Sequence, residues 1–195
     1  MTRTTTIERT TTETRIRCAI TLDGTGKSHI ATGLGFLDHM LATLAKHSRI
    51  DLEIECAGDL RIDDHHTVED TAIVLAEAIG NLLADGRGIE RFGEALAPMD
   101  EALVRCAIDI SGRPAPVIVL NLQREKIGDV SCENIEHFFR SFANTLRCAL
   151  HLDTLRGEND HHKAEAAFKA FARALREAIR ISPFDDIAST KGAIR

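Results

Sequence analysis

Two adjacent histidines followed three residues later by a glutamate occur twice in this chain. The first copy is His65-His66 with Glu69, preceded by Asp63 and Asp64; the second is His161-His162 with Glu165, preceded by Asn159 and Asp160. Neutral imidazole offered with carboxylate suits Mn, Fe, Zn or Co, whereas Mg and Ca prefer oxygen cages. On a helix, residues four apart share a face, so His65 can grip an ion with Glu69, and His161 with Glu165. His66 and His162 are rotated by about 100° and point to another side. If an approximate two-fold relates the copies, each offset histidine can complete the ion gripped by the other repeat. A lone histidine precedes each pair, His39 by 26 residues and His137 by 24. The eight residues then make two equivalent sites of three imidazoles and one carboxylate.

A single His-His-x-x-Glu is more often a solvated helix start than a ligand set. Duplication shifts that balance: a repeated fold must keep its apolar stripes and caps, but nothing obliges both copies to keep the same ligand types. The likeness extends upstream, where Asp38-His39-Met40-Leu41 is matched by Glu136-His137-Phe138-Phe139. Eleven residues beyond each lone histidine an alternating run begins, Ile50, Leu52, Ile54 in one half and Cys148, Leu150, Leu152 in the other. Asp38, Glu136, Asp64 and Asp160 are candidates to fix the imidazole tautomers.

The elements that must position these groups follow from periodicity. Residues 4–32 read as strands, with Ile16, Cys18, Ile20 and Leu22 alternating and Asp23-Gly24-Thr25-Gly26 as turn chemistry. A helix is expected over about 36–47, a strand over 50–56, and a helix over 66–83 with Asp64 as its N-cap. The second half reads as strands at 102–110 and 117–122, a helix at 132–146, a strand at 148–152 and a helix at 161–181 capped by Asp160. Residues 84–88 are the best linker candidate. The expected organisation is a first half at 1–84, a linker at 85–91, and a second half at 92–195 whose tail starts near Ser182, all in one compact domain.

Composition narrows the function classes. The formal charge of −6 argues against a nucleic-acid binder, whose footprint would be basic. The five cysteines form no CxxC pair, which suits free thiols in a reducing compartment. No apolar run approaches membrane-spanning length and the N-terminus lacks an export signal, so a soluble cytoplasmic protein is expected. Taken singly, Arg91, Arg113, Lys169 and Lys191 look like surface charges. Only if folding converged them would they form a phosphate clamp. His47 suits the end of a helix.

With these residues in view, the chain resembles the imidazoleglycerol-phosphate dehydratases of histidine biosynthesis. The matching stretches are Arg9-Thr-Thr-Thr-Glu-Thr14, Leu22-Asp-Gly-Thr-Gly-Lys27, Gly35-Phe-Leu-Asp-His-Met-Leu41, Ile62-Asp-Asp-His-His-Thr67, Arg91-Phe-Gly93, Asp109-Ile-Ser-Gly-Arg-Pro114, Glu136-His-Phe-Phe139, His161-His162 with Glu165, and Ser189-Thr-Lys-Gly192. With no phosphatase segment in front, the chain looks like the single-activity form.

The resemblance implies an α+β fold of two similar halves related by a pseudo-two-fold, each a four-stranded sheet backed by helices. It implies a 24-subunit homo-oligomer with two Mn²⁺ per subunit at subunit interfaces. His39, His66, His161 and Glu165 would hold one ion, and His65, Glu69, His137 and His162 the other. Glu13 matches an acid/base residue; Arg91, Arg113, Lys169, Ser189 and Lys191 match phosphate-binding positions, and His47 lies in a substrate-contacting segment. Thr43 and Ser48 depart from the family's usual Gln and Gly. The implied reaction is a carbon–oxygen lyase step, D-erythro-imidazole glycerol phosphate giving imidazole acetol phosphate and water. It would pass through a di-manganese-bound imidazolate and a diazafulvene-like intermediate. Two rivals are a metal-dependent hydrolase of phosphorylated substrates and a non-catalytic metal-storage protein.

Overall fold

The alternating segments build two four-stranded sheets, and the amphipathic segments build four helices packed on them. The computed structural model describes residues 2–194. The first half comprises β1 (Thr4–Thr10), β2 (Thr14–Thr21), β3 (Ser28–Ala31), α1 (Gly35–Ser48), β4 (Asp51–Gly58) and α2 (His65–Leu83). The second comprises β5 (Phe92–Met99), β6 (Ala102–Asp109), β7 (Ala115–Val119), β8 (Lys126–Ile127), β9 (Val130–Ser131), α3 (Cys132–Leu146), β10 (Ala149–Arg156) and α4 (Asp160–Ala178). Strand orders β1-β2-β4-β3 and β5-β6-β10-β7 repeat one connectivity. In each sheet the last pair is parallel and the others antiparallel. The repeat reaches the backbone: α1 and α3 both end on an arginine in the left-handed region, Arg49 at φ 66° and Arg147 at φ 59°.

The helices pack across the halves. α2 lies on the first sheet and against α3, while α4 lies on the second sheet and against α1. Burial on several sides explains why α4 is rich in alanine: Ala164, Ala166, Ala167, Ala170, Ala172 and Ala174 are all fully buried. Phe139 fills the space around it, its ring 4.7 Å from Phe168 and 5.3 Å from Phe171. Close approach is tightest at Gly93, where any Cβ would overlap the Ala174 carbonyl and crowd the Ala178 amide. That requirement accounts for the glycine of Arg91-Phe-Gly93.

Several expectations change. Strand β5 was hidden because its inward residues are Gly93, Ala95 and Ala97, too small to mark an apolar period. Asp64 holds the N-cap position of α2 but its side chain makes no cap bond, and Asp160 is the first residue of α4 rather than its cap. The side-chain bonds to the first turns come from one residue earlier in each copy, Asp63 Oδ1 accepting from the His65 N–H at 2.8 Å and Asn159 Oδ1 from the His161 N–H at 2.9 Å. Residues 85–91 run against the tail, where Gly88 and Glu90 donate to the carbonyls of Asp186 and Arg180, at 2.8 and 2.9 Å. The hairpin β8–β9 also breaks the repeat. Three residues join β3 to α1, whereas twelve, hairpin included, join β7 to α3.

Candidate functional site

Crossed helix packing brings ligands from both halves together. Where α1 meets α4, His39 Nε2 and His161 Nε2 each lie 3.3 Å from the same Glu165 oxygen, Oε2. Where α2 meets α3, His137 Nε2 lies 3.0 Å from Glu69 Oε1 and His65 Nε2 lies 3.7 Å from Oε2. The His65 and His137 rings stack at 4.8 Å. In each group the three donor atoms lie within 4.8 Å of one another. So the lone histidine of one half joins the His/Glu pair of the other, twice.

The offset histidines stand apart from both triads within this chain. His66 Nδ1 donates to Asp59 at 3.1 Å, and its Nε2 lies 3.6 Å from Glu13 Oε1. His162 Nδ1 donates to Glu101 at 2.7 Å, and its Nε2 lies 3.6 Å from Asp100 Oδ2. In both, the carboxylate ties up Nδ1 and leaves Nε2 as the nitrogen that could coordinate an ion. The Asp59 hydrogen bond raises the His66 pKa, and the Glu101 hydrogen bond does the same for His162. His162, and then the Asn159 N–H, pull Glu101 down to about 2.

The groups that orient the imidazoles are therefore Asp59, Glu101 and Asn134, whose Oδ1 lies 3.0 Å from His65 Nδ1. Asp38 and Glu136 serve instead to tie their helices to the preceding strand ends. Asp38 accepts from the Thr32 N–H at 2.9 Å, and Glu136 from the Leu120 N–H at 3.2 Å. Asp64 accepts from the Ser131 N–H and hydroxyl, and Asp160 from the Gln123 and Arg124 N–H groups. Asp59 sits in a turn with no helical relation to the imidazoles, so spacing gave it no signal. Glu101 did carry one. It directly precedes β6 as Glu13 directly precedes β2, so the two are repeat equivalents facing equivalent histidines.

The triads are not electrostatically equal. Burial raises the Glu165 pKa, but the Lys169 hydrogen bond and charge, with His39, outweigh it and hold the carboxylate below its ordinary value. Lys169 Nζ sits 2.8 Å from Glu165 Oε1. Glu69 has the Ser141 hydroxyl at 3.5 Å, and among the described residues its ion-pair partners are His65 and His137, with no lysine. His47 is half-buried beside this lysine; burial first, then the charges of Lys169 and Arg173, lower its pKa. Thr43 and Ser48 are buried, and the Ser48 hydroxyl is turned to the Ala45 carbonyl at the end of its own helix.

Four of the remaining cationic and polar residues converge elsewhere. Arg91, Arg113, Ser189 and Lys191 line one pocket of about 380 Å³ between the start of β5 and the tail. Asp109 aligns the Arg91 guanidinium through bonds of 2.7 and 3.0 Å, and the Ala188 carbonyl takes a third at 2.6 Å. Lys169 is not there: it reaches Met99 at the far end of β5, roughly 25 Å along an eight-residue strand. The five cysteines are free, and none belongs to either triad. Burial pushes the Cys18 and Cys148 thiols up to about 12 and that of Cys56 to about 11, which keeps them protonated. Among the described residues no helix is long and apolar enough to cross a membrane.

The chain is similar to known proteins in sequence and in fold. Residues 32–175 match the family model described as imidazoleglycerol-phosphate dehydratase. A protein of that name from Granulibacter bethesdensis is 53% identical over 196 residues, covering 100% of each chain. Another, from Phytophthora nicotianae, is 54% identical over 188 residues, 96% of this chain, which spans only 42% of that longer relative. The crystal structure of imidazoleglycerol-phosphate dehydratase from Staphylococcus aureus superposes with a TM-score of 0.82 at 40% identity, covering 93% of this chain and 100% of the other. This chain therefore belongs to the imidazoleglycerol-phosphate dehydratase family, hydro-lyases of histidine biosynthesis.

Proposed function

We propose that the chain converts D-erythro-imidazole glycerol phosphate into imidazole acetol phosphate and water, using two Mn²⁺ per subunit. The observation that carries this is the pair of His/His/Glu triads, each with its donor atoms converged and each drawn from both halves. The donor chemistry fits: two imidazoles and one carboxylate suit a borderline divalent ion better than an oxygen cage does. His39, His161 and Glu165 hold one ion with a His66, and His65, Glu69 and His137 hold the other with a His162. Because the chain's own His66 and His162 stand apart from the triads, these fourth ligands come from a neighbouring subunit. That need supports a homo-oligomer with shared sites, consistent with 24 subunits. The two repeat halves, residues 1–84 and 92–195, act as one unit through the tethered segment 85–91. Five free thiols suit a reducing compartment such as the cytoplasm.

The substrate's C–H proton lies next to no carbonyl, so its removal needs an electron sink in the imidazole ring. The bound metals supply that Lewis acidity and a template for the ring. Arg91, Arg113, Ser189 and Lys191 bind the phosphate, with Asp109 fixing the Arg91 fork. Lys169 adds a second cation near Glu165, and His47 lines the same region. Glu13 moves the proton between the departing hydroxyl and the carbon, and tautomerisation of the enol gives the ketone.

The test is turnover by metal-stripped protein supplied with imidazole glycerol phosphate. Imidazole acetol phosphate is expected only when Mn²⁺ is restored. Release of inorganic phosphate would point to a hydrolase, and no turnover at any metal loading in folded, assembled protein would contradict the reading.

A further inference from the structure

We propose that the tip of the β8–β9 hairpin sets the geometry of the His39/His161/Glu165 triad, with Asp129 and Phe36 as positioning residues. This rests on the metal reading above and goes beyond it. The hairpin is the one place where the second half carries an inserted segment between strand and helix that the first half lacks. Its two strands are anchored by Ile127 and Val130, both buried. Its flanks are gripped by the two aspartates that spacing had marked as caps. Asp160, at the start of α4, holds the Gln123 and Arg124 N–H groups at 2.7 and 2.6 Å. Asp64, beside the start of α2, holds the Ser131 N–H and hydroxyl, both at 2.7 Å.

The tip then reaches α1. The Asp129 carboxylate accepts from the Gly35 and Phe36 N–H groups at 2.5 and 3.0 Å, satisfying two donors that the helix leaves open at its first turn. Among the described residues no side chain of the first half does this for α1, whose preceding residue, Leu34, makes no side-chain cap bond. Gly128 leaves room for Phe36: a Cβ there would come within 3.2 Å of the Phe36 Cβ, and its φ of 61° is one that glycine adopts without strain. The Phe36 ring meets the His161 ring edge-on, with centroids 5.3 Å apart. One turn further along α1, His39 shares Glu165 Oε2 with that same His161. A continuous set of contacts therefore runs from the hairpin tip to both imidazoles of one triad. The tip residues Gly128 and Asp129 make no comparable contact with His65, Glu69 or His137 among the described residues; the hairpin reaches that side through its flank, Ser131, which Asp64 holds next to His65 and which Asp129→Ala leaves in place. The effect is accordingly selective for one of the two sites.

Co²⁺ titration of the metal-stripped oligomer, followed by its visible absorption, separates this from general stabilisation. Wild-type protein is expected to take up two Co²⁺ per subunit. Asp129→Ala is expected to weaken one of them by about 10- to 100-fold, the range for losing a group that orients metal ligands, and to alter its spectrum. The other ion should bind as in wild type. Phe36→Leu, which keeps the apolar volume but loses the edge-on contact, should weaken the same ion with the hairpin intact. Asp129→Asn, which retains one acceptor, should restore most of the affinity. In a Glu69→Gln background, where the His39 set is the remaining site, the Asp129→Ala loss should appear alone. Unchanged titrations in both Asp129→Ala and Phe36→Leu, or equal weakening of both ions alongside a lowered Tm, would overturn the proposal. Failure of the wild-type protein to bind Co²⁺ would overturn it together with the metal reading.

Discussion

Replacing Glu165 by glutamine is expected to remove one of the two bound metal ions and to lower turnover by about a thousandfold or more, the scale of several kcal/mol of lost Lewis-acid stabilisation. Glu165 Oε2 is the point on which His39 and His161 converge, each at 3.3 Å. A neutral amide keeps the shape but offers a weaker ligand, and its NH₂ group cannot accept from either ring. The other carboxylate oxygen neutralises Lys169 at 2.8 Å, so glutamine also leaves that cation without its counter-charge. Glu69→Gln should cost a similar loss of turnover through the other ion, with less disturbance around it, because no lysine sits on Glu69. Metal content by elemental analysis and kcat on the same preparation check both. Near-normal turnover in either variant would contradict a two-ion site.

Glu13→Gln should behave differently: full metal content, with kcat lower by about 10²- to 10⁴-fold, the usual contribution of a positioned proton-transfer group. Glu13 sits at the β1–β2 turn, where the Thr11 hydroxyl accepts from the Glu13 and Thr14 N–H groups at 3.1 and 3.0 Å and fixes the turn. Its carboxylate is exposed and lies 3.6 Å from His66 Nε2, beside the atom assigned to the metal. A carboxylate so placed can exchange protons with a bound substrate while contributing little to the fold. The metal titration distinguishes this role from ligation: loss of an ion in Glu13→Gln would show that the residue holds metal rather than moves a proton.

The apolar periods made α1, α2 and α3 readable to within about two residues, because each buries a stripe at helical spacing. The repeat made the triad members readable, since two copies of the same donor types at the same spacing have no packing reason to persist. Strand β5 was not readable, because close packing on α4 demanded glycine and alanine where an apolar period would show. Nor was the hairpin, whose four strand residues are too short for any period. The pocket of Arg91, Arg113, Ser189 and Lys191 was legible only as a list of cations, since chain spacing carries no sign that a tail from Ser182 folds back on residues 86–91. Lys169 shows the reverse case, a residue grouped with the others by resemblance and placed by the fold at the opposite end of β5. Symmetry has each offset histidine complete the ion gripped by the other repeat, and within this chain His66 and His162 stand outside both triads. Asp59 and Glu101, which hold their Nδ1 atoms, came from turns.

Sharing of sites between subunits is tested most directly by mixing two variants that fail for different reasons. His66→Ala lacks the ligand lent to a neighbour, and His161→Ala lacks one that the subunit keeps. Each alone should lose an ion and turnover. When the two are dissociated, mixed in equal amounts and reassembled, random pairing gives intact sites in about one case in four, so about a quarter of wild-type turnover should return. Recovery at that level means that His66 completes a triad on another subunit. No recovery, in mixtures shown to have exchanged subunits, would mean that each chain builds its metal sites alone.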